Sequence, residues 1–261
     1  MKKELIIQET NVIEFNHVTF SYSQEKAIIQ DVSLTIQQGE TVGLVGANGA
    51  GKSTLLKLLV GLILPTAGSI NVNGILLTTK NLKNIRKNVG YAFQEPDNQL
   101  FMPTVGEDVG FQARQQGLDD EAVEKIVKHA LEQVNGLHLL GMPPYQLSGG
   151  EKRLATLATV FASSPDIILL DEPSVGLDPQ SRRNLLQILQ QRNETKVIAT
   201  HDMDLAMELC DRILIMYQGK ICADDVPSVI FNQEELLLRY SLEKPLSLQG
   251  CELCKHKKEK T

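Results

Sequence analysis

The glycine-rich segment from residue 46 to residue 54 limits what this chain can fold into more than any other part of the sequence. It reads Gly-Ala-Asn-Gly-Ala-Gly-Lys-Ser-Thr, follows an apolar run at 41–45 and precedes a helical pattern at 52–60. Glycines let backbone amides turn towards anionic oxygens, and a helix beginning at the loop adds its own amides and positive dipole end. The segment therefore predicts a phosphate-binding loop between a strand and a helix of an α/β protein.

Two side chains of this loop predict nucleotide chemistry. Lys52 can reach the β- and γ-phosphates of a nucleotide, and the hydroxyl of Ser53 can ligate Mg²⁺. An ordinary strand–helix turn needs one glycine, whereas this loop has three and a lysine. We therefore assign the loop to ATP and Mg²⁺ binding, with the residues Gly46, Ala47, Asn48, Gly49, Ala50, Gly51, Lys52, Ser53 and Thr54.

Two acids end a second apolar run, 167–170, which is typical of a buried strand. A carboxylate at such a strand end helps to hold Mg²⁺ in phosphoryl-transfer sites, and we assign this role to Asp171. Glu172 is then placed to orient or deprotonate the attacking water, as the catalytic base. Without the phosphate-binding loop, the two acids would indicate only a solvated strand end.

Gln94 and His201 each follow a further strand pattern. Ligands of parallel α/β sheets gather at the carboxyl ends of the strands, so both side chains are candidates for the same site. His201 is expected to hydrogen-bond near the γ-phosphate, and the amide oxygen of Gln94 to ligate Mg²⁺ or water. On the residues alone, a structural role for Gln94 stays equally open.

A second anion cradle is predicted at 147–151, which reads Leu-Ser-Gly-Gly-Glu. Ser148 and Glu151 have the spacing of a capping box, and the glycines between them expose helix-terminal amides. With the motifs above, this segment resembles the signature of the ATP-binding cassette family over roughly residues 12–222. An ordinary capped helix would explain Ser148 and Glu151, but not both Gly149 and Gly150.

The resemblance implies that two cassettes pair head to tail and hold each ATP between one phosphate loop and the opposite signature. Ser148, Gly149 and Gly150 would then contact the γ-phosphate bound by the partner chain. Tyr22 matches the family's adenine-stacking aromatic, and Asp178 matches a loop that crosses the dimer interface. A strand-end tyrosine and a helix N-cap before proline are the alternatives for these two residues. The family commonly has glutamine at 151; glutamate keeps the capping geometry but adds a charge.

The implied fold is α/β: a P-loop NTPase (RecA-like) parallel-sheet core with an antiparallel β subdomain and an inserted helical subdomain. The sequence agrees, because strand patterns alternate with helices while 104–161 shows helical patterns only. The cassette domain is predicted at 12–222, with the helical insertion at about 97–163. A short, charge-rich extension is predicted at 223–261.

The segment from Gln94 to Phe101, followed by 104–109, resembles the energy-coupling-factor branch of the family, which includes cobalt and nickel importers. The implied partners are a second ATP-binding subunit, identical or a sister chain, an integral membrane coupling subunit and a substrate-binding membrane component. Four acids are expected to receive basic residues of the coupling helices, although an acid near a helix N-terminus also stabilises the helix alone. They are Glu95, Asp97, Glu107 and Asp108.

Composition excludes several other classes. The net charge of −6 argues against a nucleic-acid binder. No apolar stretch reaches the ~18–20 residues of a membrane helix, and no signal peptide is visible, so we expect a peripheral protein at the cytoplasmic face of the membrane. Cys251, Cys254 and His256 offer three ligands where structural zinc normally takes four, and a solvated lysine-rich tail is the favoured interpretation.

The expected function is therefore that of an ATPase subunit which energises an importer of a transition metal ion or a vitamin. The alternative is a soluble cassette ATPase of DNA repair or ribosome function. Those proteins usually carry a long coiled-coil insertion or tandem cassettes, whereas Lys52 and Ser148 are 96 residues apart here and no second phosphate loop exists. A nucleotide-binding module without turnover is disfavoured, because the catalytic set is complete.

Overall fold

The computed structural model describes residues 10–23 and 26–249. Ten strands and nine helices are assigned within these ranges, besides short 3-10 turns. The strands are β1 (Asn11–Phe20), β2 (Ile29–Gln37), β3 (Thr41–Val45), β4 (Ala67–Val72), β5 (Ile75–Leu76), β6 (Val89–Ala92), β7 (Ile167–Asp171), β8 (Thr195–Thr200), β9 (Arg212–Tyr217) and β10 (Lys220–Asp225). The helices are α1 (Lys52–Leu59), α2 (Leu82–Asn88), α3 (Val105–Gln115), α4 (Asp120–Gln133), α5 (Gly149–Phe161), α6 (Pro179–Gln190), α7 (Met203–Leu209), α8 (Pro227–Ile230) and α9 (Glu234–Arg239).

The larger sheet has the strand order β10-β9-β3-β8-β7-β6, in which only β10 is antiparallel to its neighbour. Every residue of β3, β6, β7 and β8 is buried. Alternate residues of these strands enter different hydrophobic clusters, as Leu169 does in contrast to Ile168 and Leu170. Both faces of the sheet are therefore covered, as a parallel sheet requires, and the predicted fold class is confirmed.

A smaller antiparallel sheet has the order β2-β1-β4-β5 and shares with one face of the large sheet the hydrophobic cluster that contains Leu169. The predicted hairpin between β4 and β5 is confirmed. Its two turn residues, Asn73 and Gly74, have φ angles of 49° and 73°. Positive φ at both positions is what a type I′ hairpin turn needs, and this explains the Asn-Gly pair.

A block of helices, α3 to α5, lies between β6 and β7 along the chain, and no strand is assigned from 104 to 161. Thr104 caps α3 by accepting a hydrogen bond from the amide of Glu107 at 3.3 Å, which supplies one arm of the predicted capping box. The three helices pack on one another within the hydrophobic cluster that contains Ile168 and Leu170. The predicted helical character of this segment is therefore confirmed.

Four elements were not predicted from the sequence: α2, β10, α8 and α9. α2 buries only Ile85, so it offers no helical periodicity to detect. β10 is a half-buried edge strand without clear alternation, and it runs through the predicted domain boundary at 222. Cys251, Cys254 and His256, which were weighed as zinc ligands against a solvated tail, lie outside the described residues. Over 10–23 and 26–249, no helix is both long enough and apolar enough to cross a membrane.

Replacing Gly74 by Ala should destabilise the protein by about 1 kcal/mol, because Ala pays a conformational penalty at positive φ. A Cβ at this position would meet no atom within 4 Å, so crowding adds nothing to the cost. Gly141 is the matched control: it has equally open space and no positive φ. Urea unfolding should show Gly141→Ala neutral or mildly stabilising, and equal effects of the two changes would contradict this account.

Candidate functional site

A cavity of about 550 Å³ opens where the chain leaves the carboxyl ends of β3, β7 and β8. It collects most of the residues predicted for nucleotide binding and catalysis, although they are far apart in sequence. The parallel pairing of β3 with β8, and of β8 with β7, brings these strand ends together. The lining residues are Tyr22, Ile28, Asn48, Gly49, Ala50, Gly51, Lys52, Ser53, Thr54, Gln94, Glu172, Val175 and His201.

The glycine-rich loop fits closely against β9. A Cβ on Gly46 would lie 2.3 Å from the carbonyl oxygen of Met216, so no other residue fits without a backbone shift. Gly51 has a φ of 111° and forms the N-cap of α1, which begins at Lys52 as predicted. The loop thus turns sharply into a helix N-terminus, which favours anion binding.

Lys52 lies at the end of this loop and is 6% exposed. Its Nζ donates to the carbonyl oxygen of Gly46 at 2.7 Å and lies 3.3 Å from Oε1 of Glu172. A buried cation needs such compensation, because desolvation is costly. The loop and the end of β7 are therefore joined by an ion pair.

Glu172 is held from two sides. Its Oε2 accepts a hydrogen bond from the backbone amide of His201 at 3.1 Å and lies 2.8 Å from the Nδ1 atom of the same residue. Its backbone φ is 46°, a left-handed conformation that is uncommon outside glycine and often marks a functional site. The carboxylate therefore reaches the cavity in a fixed position between Lys52 and His201.

Asp171 is buried beside it, with both carboxylate oxygens engaged. Oδ1 accepts from the hydroxyl of Ser53 at 2.9 Å, and Oδ2 accepts from the hydroxyl of Tyr91 at 3.0 Å. Burial raises the pKa of Asp171, while these two hydrogen bonds oppose the rise. Hydroxyl, carboxylate and amide oxygens are the hard ligands that Mg²⁺ prefers, so Ser53, Asp171 and the cavity residue Gln94 fit this ion.

Sequence reasoning missed two residues of this region, Tyr91 and Arg153. Tyr91 lies in a fully buried strand and resembles ordinary core, but burial and the neighbouring Asp171 raise the pKa of its hydroxyl, which therefore stays a donor. Arg153 is 3% exposed and donates to the carbonyl oxygens of Phe93 and Gln94 at 2.9 and 2.8 Å. The sequence feature that could have indicated its burial is its position one helical turn before Leu157, which is buried on the same helix.

The signature residues do not line the cavity. Ser148 and Gly149 are exposed at the start of α5, and the predicted capping box between Ser148 and Glu151 is confirmed. A Cβ on Gly150 would lie 2.4 Å from the hydroxyl oxygen of Ser181, so packing alone explains this glycine. A Cβ on Gly149 would meet no atom closer than 3.7 Å, so packing does not explain this glycine.

Two other predicted contact residues also have structural partners. Asp178 caps α6 by accepting from the amides of Gln180 and Ser181 at 2.9 and 3.1 Å, and it is outside the cavity lining. Tyr22 lines the cavity and is 62% exposed, with its ring edge-on to Phe20 at 4.8 Å. A large exposed ring beside a phosphate-binding loop is available for stacking.

The prediction that Asp108 receives a basic residue of a partner is wrong. Asp108 is buried, and its Oδ1 accepts from the backbone amides of Phe101 and Met102 at 3.0 and 3.1 Å. Its role is to fix the segment before α3. Asp97 is exposed but pairs with Lys152 at 2.6 Å. An acidic pattern alone does not show which carboxylates turn inward.

The sequence of this chain matches a known protein family and a named relative. Residues 29–175 match the family model described as "ABC transporter". The energy-coupling factor transporter ATP-binding protein EcfA of Methanocaldococcus jannaschii is 38% identical over 90% of this chain and 86% of its own length.

Two solved structures are similar over most of the chain. CbiO1 of Clostridium perfringens, described as part of the ABC transporter complex cbiONQ, has a TM-score of 0.79 and 30% identity, and covers 88% of this chain and 94% of its own. A dimeric ATP-binding cassette in a post-hydrolysis state, bound to ADP and Pi, has a TM-score of 0.74 and 27% identity, and covers 82% and 98%.

Replacing Tyr91 by Phe should raise the Mg²⁺ concentration needed for half-maximal ATP hydrolysis by about tenfold, because Asp171 loses the donor that orients it. Titration of Mg²⁺ at saturating ATP measures this shift. Tyr145→Phe is the control, since Tyr145 is 79% exposed and outside the cavity lining. An unchanged Mg²⁺ requirement in Tyr91→Phe would show that the Tyr91 hydroxyl does not position Asp171.

Proposed function

The chain belongs to the ABC transporter family and is an ATP-hydrolysing subunit, and we propose that it energises an energy-coupling-factor importer of a transition metal ion or a vitamin. The observation that carries the catalytic part is the position of Glu172, fixed between Lys52 and His201 at the wall of the cavity. The similarity to EcfA and to CbiO1 supports the importer class. ATP is the substrate, and Mg²⁺ is the resident cofactor.

The loop amides and Lys52 bind the phosphates of ATP, and Tyr22 stacks on its base. Ser53, Asp171 and Gln94 hold Mg²⁺, which neutralises charge on the phosphate oxygens when it is bound. Glu172 orients the attacking water and accepts its proton. His201 donates hydrogen bonds that fix Glu172 and reaches towards the γ-phosphate. Positioning and charge stabilisation therefore supply most of the catalysis.

We propose further that the working unit contains two such chains, or one chain and a sister ATPase. Ser148 and Gly149 are exposed and lie outside the cavity of their own chain, which leaves the amide of Gly149 for a phosphate on another chain. The similar cassette bound to ADP and Pi is dimeric, which supports this arrangement. The hydroxyl of Ser181 donates to Asp178, and Ser181 also lies against Gly150 of the signature. These contacts support a position for Asp178 at the same proposed interface.

The surface proposed for the membrane coupling subunit includes an exposed aromatic pair. Phe101 is 63% exposed and Phe111 is 37% exposed, and their rings meet edge to face at 5.2 Å. Glu95 and Glu107 supply negative charge along the same chain segment. Exposed aromatic anchors beside acids suit an amphipathic basic helix. The proposed location is therefore the cytoplasmic face of the membrane, where the chain is held by its partner.

Replacing Glu172 by Gln should lower kcat by at least about 100-fold and trap an ATP-bound dimer, because the base is lost while ATP binding remains. Steady-state hydrolysis and size-exclusion chromatography with ATP measure the two effects. Glu132→Gln, on the exposed face of α4, is the control and should behave as the wild type. Brisk hydrolysis by Glu172→Gln would remove Glu172 from the role of base.

Replacing Phe101 by Ala should weaken association with an integral membrane subunit, measured by co-purification from solubilised membranes, by about 30-fold or more, because an aromatic anchor buried at an interface typically contributes about 2 kcal/mol or more. ATP binding by the isolated subunit should be unchanged, since Phe101 is outside the cavity lining. Tyr145→Ala is the control, since it removes a ring elsewhere that is even more exposed, at 79%. Absence of any membrane partner in the wild-type preparation would favour the soluble cassette alternative.

A further inference from the structure

The signature of this chain contains a closed set of hydrogen bonds between Ser148 and Glu151. Oε2 of Glu151 accepts from the backbone amide of Ser148 at 2.8 Å and from its hydroxyl at 2.7 Å. The hydroxyl oxygen of Ser148 accepts in turn from the amide of Glu151 at 3.4 Å. The serine hydroxyl that faces a partner's phosphate is therefore already bound within its own helix.

The direction of the hydroxyl bond follows from the chemistry of the carboxylate. The hydrogen bonds from the Ser148 hydroxyl and amide hold the pKa of Glu151 below its usual range, so this group is ionised at neutral pH. An ionised carboxylate only accepts, and a hydroxyl has one proton to give. Ser148 therefore directs its proton to Glu151, and only lone pairs remain for any other group.

A γ-phosphate also presents only acceptor oxygens. Lone pairs of Ser148 repel it, and the negative charge of Glu151 adds to the repulsion. The imidazole Nε2 of His138 lies 3.9 Å from Oε1 of Glu151, and Lys152 is paired with Asp97 instead. The negative charge of Glu151 is therefore stabilised mainly by its hydrogen bonds with Ser148.

We propose that Glu151 acts as a brake on this signature, which means that it weakens binding of the partner's ATP. It retains the Ser148 proton, so this ATP is held mainly by backbone amides until the hydrogen bond between Ser148 and Glu151 breaks. Gly149 has the open space for such amide contacts. A glutamine at 151 would face the Ser148 amide with its uncharged side-chain oxygen, which is a weaker acceptor than a carboxylate and would release the serine proton to phosphate more readily. The inference rests on the two-chain site proposed above.

A double-mutant cycle tests the brake. In the E172Q background, the ATP concentration for half-maximal dimerisation is measured by analytical ultracentrifugation for the parent, E151Q, S148A and the double variant. E151Q should lower this concentration by about tenfold, because a charge-assisted donor to phosphate becomes available. S148A should then raise it about tenfold more in the E151Q background than in the parent.

The possible results separate the explanations. An equal effect of S148A in both backgrounds would overturn the brake, because Glu151 would then act through its charge alone. Equal tightening by E132Q, which removes one charge from an exposed helix position, would overturn it as well. Failure of the E172Q parent to dimerise with ATP would instead contradict the proposed two-chain site. Urea unfolding of each variant shows whether the altered N-cap of α5 changes stability, and the comparison across backgrounds removes that contribution.

Discussion

The buried ion pair between Lys52 and Glu172 is the interaction on which the rest of the site depends. Asp171 and Glu172 place two adjacent carboxylates at one buried strand end, and like charges in such a position destabilise each other. Lys52 compensates one of them at 3.3 Å, and Ser53 and Tyr91 compensate the other. Loss of the cation would leave an unpaired buried charge, which costs several kcal/mol. The predicted phosphate-binding loop therefore also stabilises both carboxylates, through Lys52 and Ser53.

The sequence allowed most of the fold to be predicted, because its strands and helices have clear periodicity and its turns carry diagnostic residues such as Asn73-Gly74. It also placed Gln94, Glu172 and His201 at strand ends. It could not show that Glu172 sits between Lys52 and His201, since that contact depends on the strand order β3-β8-β7 and on the left-handed backbone of Glu172. Asp108 was misassigned for a related reason: a carboxylate that caps backbone amides looks, in sequence, like one that faces solvent.

Arg153, which was not predicted from the sequence, connects the cavity wall to the signature helix. Arg153 lies on α5, the helix that begins with the signature, and donates to the carbonyl oxygen of Gln94 on the cavity wall. Lys152 of the same helix pairs with Asp97, and Gln99 donates to the hydroxyl of Thr159. The segment after Gln94 is therefore attached to the signature helix at several points. The cavity wall and the signature helix are thus in direct contact within one chain.

The central claim is that each ATP site requires residues of two chains, and complementation between two defective variants tests it most directly. A Lys52→Ala chain lacks a working phosphate loop, and a Ser148→Arg chain lacks a working signature, so each alone should fail to hydrolyse ATP. A mixed dimer retains one phosphate loop facing one signature. The account predicts that mixing the two inactive proteins restores hydrolysis; a mixture as inactive as its components would contradict it.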